Sequence, residues 1–285
     1  MISPSTPHPA DERRELAGLL PTVARDAAVQ ATVPEMASAG QGTLVVPQGV
    51  RPAVLALASA ERKRRGIKSP IIVVTASGRR AERLKTSLDA WIDGVEVLPS
   101  WETLPHERLS PQVDTMARRS AVLRRLVHPE SGLVGAGPVS ILLVPIRAFM
   151  QPTISGLADI APVIAAEGQS VGRDRLVHDL TALGYQAVDL VERRGQVAVR
   201  GSIVDVFVPT NPHPLRIEFF GDEVDEVRWF NLSDQLTLGV AEGGLWAPAA
   251  RALLLTPEVR KKALALQSQF PGASDLLELA GEGIY

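Results

Sequence analysis

The chain has 285 residues, which is too long for one small hydrophobic core and predicts about two domains at roughly 100–200 residues each. Apolar residues make up 45% of it and charged residues 22%. This composition is typical of globular proteins and excludes collagen-like, coiled-coil and wholly disordered chains. Its 30 basic and 32 acidic side chains nearly cancel, which weighs against binding of nucleic acid through a basic surface.

The sequence offers little for metal or thiol chemistry. It contains no cysteine, which excludes disulfides, thiolate nucleophiles and Cys-based zinc or iron–sulfur sites. Its five histidines are scattered, so neither a metal site nor a catalytic site is expected. No apolar run reaches ~18 residues, the length needed to span a membrane, and the N-terminus lacks the apolar segment of a secretory signal. We therefore expect a cytoplasmic protein.

In the first half of the chain, predicted strands alternate with predicted helices. The first dozen residues are rich in Pro and Ser and predict a frayed arm. Apolar residues at helical spacing then predict a helix. Helices are expected over 11–33, 51–65, 79–88 and 114–126, and strands over 40–47, 69–74, 95–98 and 140–144. Because apolar strands that alternate with helices form parallel sheets covered on both faces, we expect an arm and helix over 1–34 and an α/β domain over 35–153.

The pattern changes after Gly156. One predicted helix precedes a run of strands with turn-forming connections, PTNPHP and Gly221-Asp222. The helix is expected over 173–183 and the strands over 197–200, 202–208, 215–220 and 223–230. This order predicts an α+β domain with an antiparallel sheet over 154–242. Residues 243–285 contain a predicted helix over 257–267 and end at GEGIY without a cap or polar tail, which predicts a truncated chain.

The turn after the first predicted strand has the layout of a phosphate-binding loop without its chemistry. Such a loop needs GxxxxGK[ST], in which glycines let backbone N–H groups reach the phosphates, Lys supplies charge and a hydroxyl binds Mg²⁺. Here Gly49 remains and Arg51 lies nearby, but Pro52 and Ala53 occupy the Lys and hydroxyl positions. We expect no nucleotide and no other cofactor, with a residual site built on Arg51 as the alternative.

Three motifs resemble a known protein family. SWETLPHE at 100–107, continuing to SP at 110–111 and RR at 118–119, resembles the WETLPY…SP…R signature of bacterial transcription-repair coupling factors (Mfd). RG at 194–195 with VRGSIVDVF at 199–207, and the hairpin LRIEFFGDEVD at 215–225, resemble two further motifs that also occur in the excision-repair helicase UvrB. The chain is therefore similar to the N-terminal UvrB-like module of these factors, in an actinobacterial form.

The resemblance implies both a fold and a function. It implies a parallel-sheet RecA/P-loop-like domain with a degenerate nucleotide loop over 35–153, an inserted UvrA-binding domain over 154–242 and a return to the first domain over 243–285, as in domains 1a, 2 and 1b of UvrB. It further implies a non-catalytic module that recruits UvrA in transcription-coupled nucleotide excision repair. The ATP-dependent translocase that displaces stalled RNA polymerase, with its contacts to polymerase and double-stranded DNA, would lie beyond Tyr285.

Side-chain alternation along one predicted strand indicates a binding face. In the strand 215–220 one side is apolar and supplies a core, formed by Leu215, Ile217 and Phe219. Arg216, Glu218 and Phe220 share the other side, and Arg beside aromatic residues is typical of interface hot spots. From 186 to 230 there are five Arg, no Lys and eight Asp or Glu, which favours a protein partner over nucleic acid.

The resemblance assigns particular residues to that partner. Arg200, Arg216 and Glu218 match positions with which UvrB holds UvrA, and the same patch takes in Arg194, Phe220 and Phe207. An Arg–Glu pair on an antiparallel face is also common as a mere solvated cross-strand pair, and Phe207 suits a core as well as a contact.

Other readings of the chain stay open. A DNA-binding module and a residual nucleotide-binding domain are the alternatives to protein recruitment.

The arginine pairs at 118–119 and 124–125 are expected to lie in solvent or to pair with Glu107 and Asp114.

Overall fold

The structure, a computed structural model, describes residues 16–38, 43–103, 111–129 and 137–284. These ranges contain the helices α1 (Leu20–Val23), α2 (Ala27–Ala37), α3 (Arg51–Arg64), α4 (Gly78–Asp89), α5 (Val113–Val127), α6 (Ile146–Met150), α7 (Arg173–Ala182), α8 (Pro257–Leu266) and α9 (Ser274–Glu282). They also contain the strands β1 (Ile71–Thr75), β2 (Val95–Val97), β3 (Ile141–Pro145), β4 (Val163–Ala165), β5 (Gln186–Ala187), β6 (Gln196–Arg200), β7 (Ile203–Val206), β8 (Leu215–Phe220), β9 (Glu223–Phe230), β10 (Thr237–Val240) and β11 (Leu245–Ala247). The chain divides into two compact units, Met1–Trp101 with Pro138–Pro152 and Glu102–Gly137 with Thr153–Tyr285.

Three parallel strands form the sheet of the first unit, in the order β1–β3–β2. The central strand β3 is buried along its whole length, because it is flanked on both sides and covered by Ala81 and Leu88 of α4. Continuous burial of an apolar strand is typical of a parallel sheet. The strands predicted over 69–74, 95–98 and 140–144 are confirmed to within a few residues, as are the helices α3 and α4.

The predicted strand over 40–47 was wrong in the part that the structure describes. Residues 43–47 are in no strand, and 90% of Val45 is exposed. A β-branched apolar run has the propensity for a strand, but it becomes one only where another backbone pairs with it. Among the described residues this sheet ends at β1, and Pro47 could not donate to a neighbouring strand in any case.

The single helix predicted over 11–33 was also wrong, since the described part is two helices. α1 ends at Val23, and α2 begins after Asp26, whose Oδ1 accepts hydrogen bonds from the N–H groups of Ala28 at 2.9 Å and Val29 at 3.1 Å. A carboxylate that satisfies these free donors is a strong helix start, and it outweighs the continuous apolar spacing. Residues 11–15 lie outside the described ranges.

Six strands form the main sheet of the second unit, in the order β10–β9–β8–β7–β6–β5. Neighbours are antiparallel except β5 and β6, which are parallel. The predicted antiparallel sheet is therefore confirmed, with β5 as a parallel addition. Its pairing shifts between β8 and β9, where Glu218 lies opposite Glu226 but Phe219 lies opposite Val224, so that Asp225 is a bulged extra residue. A separate antiparallel pair joins β4 and β11.

One face of the six-stranded sheet carries the core of the second unit. Helix α7 lays Leu176 and Leu180 against it, and both are fully buried. The strands contribute apolar residues from alternate positions, with one break at the Asp225 bulge between the last two, namely Val204, Val206, Leu215, Ile217, Phe219, Val224 and Val227. Fully burying one such side chain stabilises a fold by ~1.5–3 kcal/mol, so this face fixes the sheet and directs the intervening residues outward. The expected core trio of β8 is thus confirmed.

Helix α5 buries two of the arginines that were expected to lie in solvent or to pair with Glu107 and Asp114. Arg119 is fully buried and its Nη2 donates to Thr153 Oγ1 at 3.4 Å, and Arg125 donates through Nε to the Gly137 carbonyl at 2.7 Å. Burial lowers the pKa of Arg119. Asp114 pairs with Arg194 at 3.3 Å, a residue outside the helix, and Glu107 lies outside the described ranges. Long aliphatic stems make such burial possible when the guanidinium finds oxygen acceptors.

Candidate functional site

The strand register gathers charged side chains on the face of the six-stranded sheet opposite the core. Asp205 of β7 lies directly across from Arg216 of β8, and Ile203 lies between Arg200 of β6 and Glu218 of β8. Farther along, β9 places Arg228 across from Arg216 and Glu226 across from Glu218. Six charged residues thus form the polar face: Arg200, Asp205, Arg216, Glu218, Glu226 and Arg228.

Asp205 is the buried centre of this face. Only 1% of it is exposed, although it bears a charge. Its Oδ2 accepts hydrogen bonds from Nη2 of Arg200 at 2.5 Å and Nη2 of Arg216 at 3.0 Å, and its Oδ1 accepts from Nε of Arg216 at 2.8 Å. A buried carboxylate is tolerable only when it is paired and hydrogen-bonded. Two guanidinium groups from the two neighbouring strands meet that requirement here.

Arg216 is held from several sides. Its Nη groups also donate to the Gln235 carbonyl at 3.3 Å and to Gln235 Oε1 at 3.4 Å, and its guanidinium carbon lies 4.6 Å from the centre of the buried Phe230 ring. The hydrogen bond to Asp205 raises the pKa of Arg216, against the opposing effect of burial. Only 15% of the side chain is exposed. Arg216 is therefore internally paired, with one edge turned to solvent.

Glu218, Glu226 and Arg228 form a second, more exposed group on the polar face. Nη1 of Arg228 lies 4.0 Å from Glu218, and Nη2 of Arg228 donates to Glu226. That hydrogen bond lowers the pKa of Glu226 and raises the pKa of Arg228. About a third of the Glu218 and Arg228 side chains is exposed, so this group resembles a solvated cross-strand cluster more than the Asp205 centre does.

Phe220 stands at the end of the strand that carries Arg216 and Glu218. It is 84% exposed and precedes the two-residue loop Gly221-Asp222, where Gly221 has φ of +63°. Gly at the first loop position suits the tight turns that close antiparallel hairpins. The loop after Arg200, Gly201-Ser202, has the same form, with φ of +61° at Gly201. The Ser202 carbonyl accepts from the Phe219 N–H at 3.0 Å, so Arg200 and Phe220 lie at the same end of the sheet.

Arg194 and Phe207 lie at the opposite end of strands β6 and β7. Phe207 is 6% exposed and packs with Val191 and Ala198. The Arg194 guanidinium carbon lies 5.1 Å from the Phe207 ring centre, and the side chain is 40% exposed. The structure thus brings Arg200, Arg216 and Glu218 together, with Phe220 at their end of the sheet. Arg194 is set apart from them, and Phe207 has little surface to offer a partner.

Sequence reasoning missed the role of Asp205. Alternation along 202–208 places Asp205 on one strand face with Ile203 and Phe207, but it does not reveal that this face lies beside Arg216. The available signal was a carboxylate in the apolar run SIVDVF, since Asp is disfavoured in strands and almost never fully buried unless paired. Arg228 was missed in the same way, because its place beside Glu218 depends on the bulge at Asp225.

The loop that resembles a phosphate site has apolar packing where the charge would be. Residues 48–50 form a short 3-10 turn, and α3 begins at Arg51 with Pro52 in its first turn and no side-chain cap. Pro52 and Ala53 are buried, whereas Gly49 and Arg51 are exposed.

Within the described ranges, no three Asp, Glu, His or Cys side chains are grouped so as to hold a metal ion. Within the same ranges, no helix combines the length and the apolar character needed to cross a membrane.

The comparisons with known proteins first define a class. Residues 163–250 match the family model described as the UvrB interaction domain, and this segment contains the whole polar face. This segment is therefore similar to the UvrB interaction domain.

The full-length relatives are more specific. The chain is 41% identical over 252 residues, 85% of its length, to the transcription-repair-coupling factor of Mycobacterium tuberculosis, and covers 20% of that protein. It is 32% identical over 183 residues to the coupling factor of Escherichia coli, covering 63% of the chain and 15% of the relative. The chain is thus homologous to transcription-repair coupling factors, which confirms the resemblance seen in its motifs, and it spans 15–20% of the length of these two relatives.

Proposed function

We propose that this chain is a protein-recruitment module of transcription-coupled nucleotide excision repair, which binds UvrA through the polar face. The UvrB interaction domain match and the coupling-factor relatives support the repair role and the partner. The binding domain would be the inserted segment 154–242, between a degenerate RecA-like domain over 35–153 and a return segment over 243–285, with 1–34 as an arm and helix.

The observation that carries the proposal is a face whose charged groups are fixed in place before any partner arrives. Arg200 keeps 47% of its side chain exposed while Asp205 anchors it, and Phe220 projects an almost free aromatic ring at the same end of the sheet. Arginine can donate two parallel hydrogen bonds to a partner carboxylate, and pre-ordered side chains lose less entropy on binding. Glu218 and the outer edge of Arg216 complete the contact. Arg194 contributes from its separate position, with Phe207 as the ring beneath it.

The same module would be non-catalytic and free of cofactors. Gly49 and Arg51 would be the remnants of a nucleotide loop in which Pro52 and Ala53 replace the groups that hold triphosphate and Mg²⁺. Titration of the chain with Mg²⁺-ATP in a calorimeter should give no binding heat and no phosphate release. The full-length protein would be a cytoplasmic ATP-dependent DNA translocase that displaces RNA polymerase through regions outside this chain.

Calorimetric titration of purified UvrA with single variants tests the binding face. Arg200→Ala and Phe220→Ala should each weaken binding by ~1–3 kcal/mol, as expected of interface hot spots, while far-UV circular dichroism stays unchanged. The matched controls are Arg175→Ala, a 79% exposed arginine on the helix that covers the opposite face, and Phe149→Ala, a 62% exposed phenylalanine of the first unit. Binding that is equal in all four variants would exclude the polar face.

A further inference from the structure

The two arginines at Asp205 differ in what they can offer a partner. Arg216 makes four hydrogen bonds, two to Asp205 and two to Gln235, and is largely covered. Arg200 makes one, through Nη2 to Asp205, and nearly half of its side chain is exposed. In the described part of the chain no other group accepts from the remaining Arg200 N–H groups. Arg200 therefore has free donors that point away from a fixed anchor.

Asp205 itself cannot touch a partner, since it is 1% exposed. Its effect on binding must pass through the groups that it holds. Without it, the Arg200 guanidinium would have no fixed direction, because a long, half-exposed side chain without a partner samples many rotamers. Arg216 would lose two of its four hydrogen bonds, and with them the interaction that holds its guanidinium over the Phe230 ring.

We propose that Asp205 is a positioning residue for the binding of UvrA. Asp205 holds the Arg200 guanidinium in place to receive a carboxylate of the partner, and Arg216 in turn holds Asp205 in place. This inference rests on the proposed function and adds a division of roles to it. Arg200 is the contacting cation, Asp205 is its anchor and Arg216 secures the anchor. The ligand class is an acidic group on a protein surface, because the free Arg200 donors form a planar fork that matches a carboxylate.

A double-mutant cycle tests the inference, using the chain of 285 residues and purified UvrA. Asp205→Asn keeps the shape but removes the charge that orients both guanidiniums. In the otherwise unchanged chain it should weaken UvrA binding by about tenfold. In the Arg200→Ala background the further loss should fall below about threefold, because the contact that Asp205 positions is already gone. Urea unfolding, run in parallel, confirms that each variant is folded in the binding buffer.

The two backgrounds separate the positioning of Arg200 from other effects of Asp205. A tenfold loss from Asp205→Asn in both backgrounds would show that Asp205 does not act through Arg200 and would overturn the positioning role, as would no loss in either. The matched control is Asp179→Asn, which removes one negative charge from helix α7 on the other face of the sheet and should leave affinity within about twofold. If the unchanged chain does not bind UvrA at all, the proposed function itself fails. If it binds and only Arg200→Ala weakens it, only the role of Asp205 fails.

Discussion

Two carboxylates in this protein are each held by two arginines, in opposite settings. Glu61, near the end of α3, accepts hydrogen bonds from Arg64 and Arg65, with three donor–acceptor distances of 2.7 Å. Asp205 accepts from Arg200 and Arg216 at 2.5–3.0 Å. The chemistry is the same, but the Glu61 partners are three and four residues away on one helix, whereas the Asp205 partners come from two other strands.

The two clusters differ in the free energy of unfolding that is lost when an ion pair in them is broken. Arg64 is 73% exposed, so water and salt can replace its carboxylate, as on most protein surfaces. Asp205 is closed off from water, and its removal leaves the mostly covered Arg216 guanidinium without its carboxylate. A local pair on a helix therefore adds little that is specific, while the nonlocal pair requires three strands to be in register.

The largest effect is expected from Asp205→Ala. It leaves the mostly covered Arg216 guanidinium without its carboxylate, and breaking a buried ion pair in this way costs ~3–5 kcal/mol. Because the Arg216 edge reaches solvent, we expect about 3 kcal/mol of lost unfolding free energy in urea. A loss below that of Arg200→Ala would contradict the central place given to Asp205.

A smaller loss is expected from Arg216→Ala. The variant gives up the hydrogen bonds to Asp205 and Gln235 and the contact with the Phe230 ring, but Arg200 can still neutralise Asp205. We expect about 2 kcal/mol of destabilisation, measured by urea unfolding. Lys at the same position should recover only part of it, since an ammonium group cannot form the paired hydrogen bonds to Asp205.

Arg200→Ala should change stability by less than about 1 kcal/mol, because its exposed half is already in water and Asp205 retains Arg216. Stability and UvrA binding are therefore expected to separate at this residue. Comparing urea midpoints with calorimetric affinities checks the separation. A destabilisation as large as that of Arg216→Ala would show that the two arginines are equivalent.

The smallest effect is expected from Glu61→Gln, and it should depend on pH. Hydrogen bonds from Arg64 and Arg65 lower the pKa of Glu61 from 4.5 to about 2. A carboxyl whose pKa is lower in the folded state stabilises that state above the unfolded value of 4.5, and the stabilisation is lost as pH falls toward 2. The variant should therefore unfold at a slightly lower urea concentration at pH 7, and at the same concentration as the unchanged chain near pH 2. If the urea midpoints of the two proteins differed more near pH 2 than at pH 7, the lowered pKa of Glu61 would be contradicted.

The sequence was sufficient to predict what depends on local spacing. Strand β8 was correct to the residue, including its core trio, because alternation within one strand needs no knowledge of its neighbours. Residues 40–47 also had the apolar pattern of a strand, but the predicted strand was wrong at 43–47. A strand also needs a partner backbone, which no local pattern reveals.

The candidate site likewise has a part that the sequence predicted and a part that depends on how the strands pair. The candidate residues Arg200, Arg216 and Glu218 came from a family motif, and the structure brings them onto one face. Their connection through Asp205 depends on the register between three strands, which the sequence does not state. Arg119 shows the converse, since its charge predicted a solvent-exposed or ion-paired side chain, whereas packing around α5 buries it.

The bulge at Asp225 determines at which position β9 could lose a residue without disturbing the sheet. Val224 and Val227 both face the core although they are three positions apart, which is possible only because Asp225 stands outside the pairing. Loss of Asp225 would leave a strand of ordinary alternation with every remaining side chain on its present side. A deletion at Val227 instead would turn Glu226 toward the apolar interior, so β9 tolerates shortening at one residue and resists it at its neighbours.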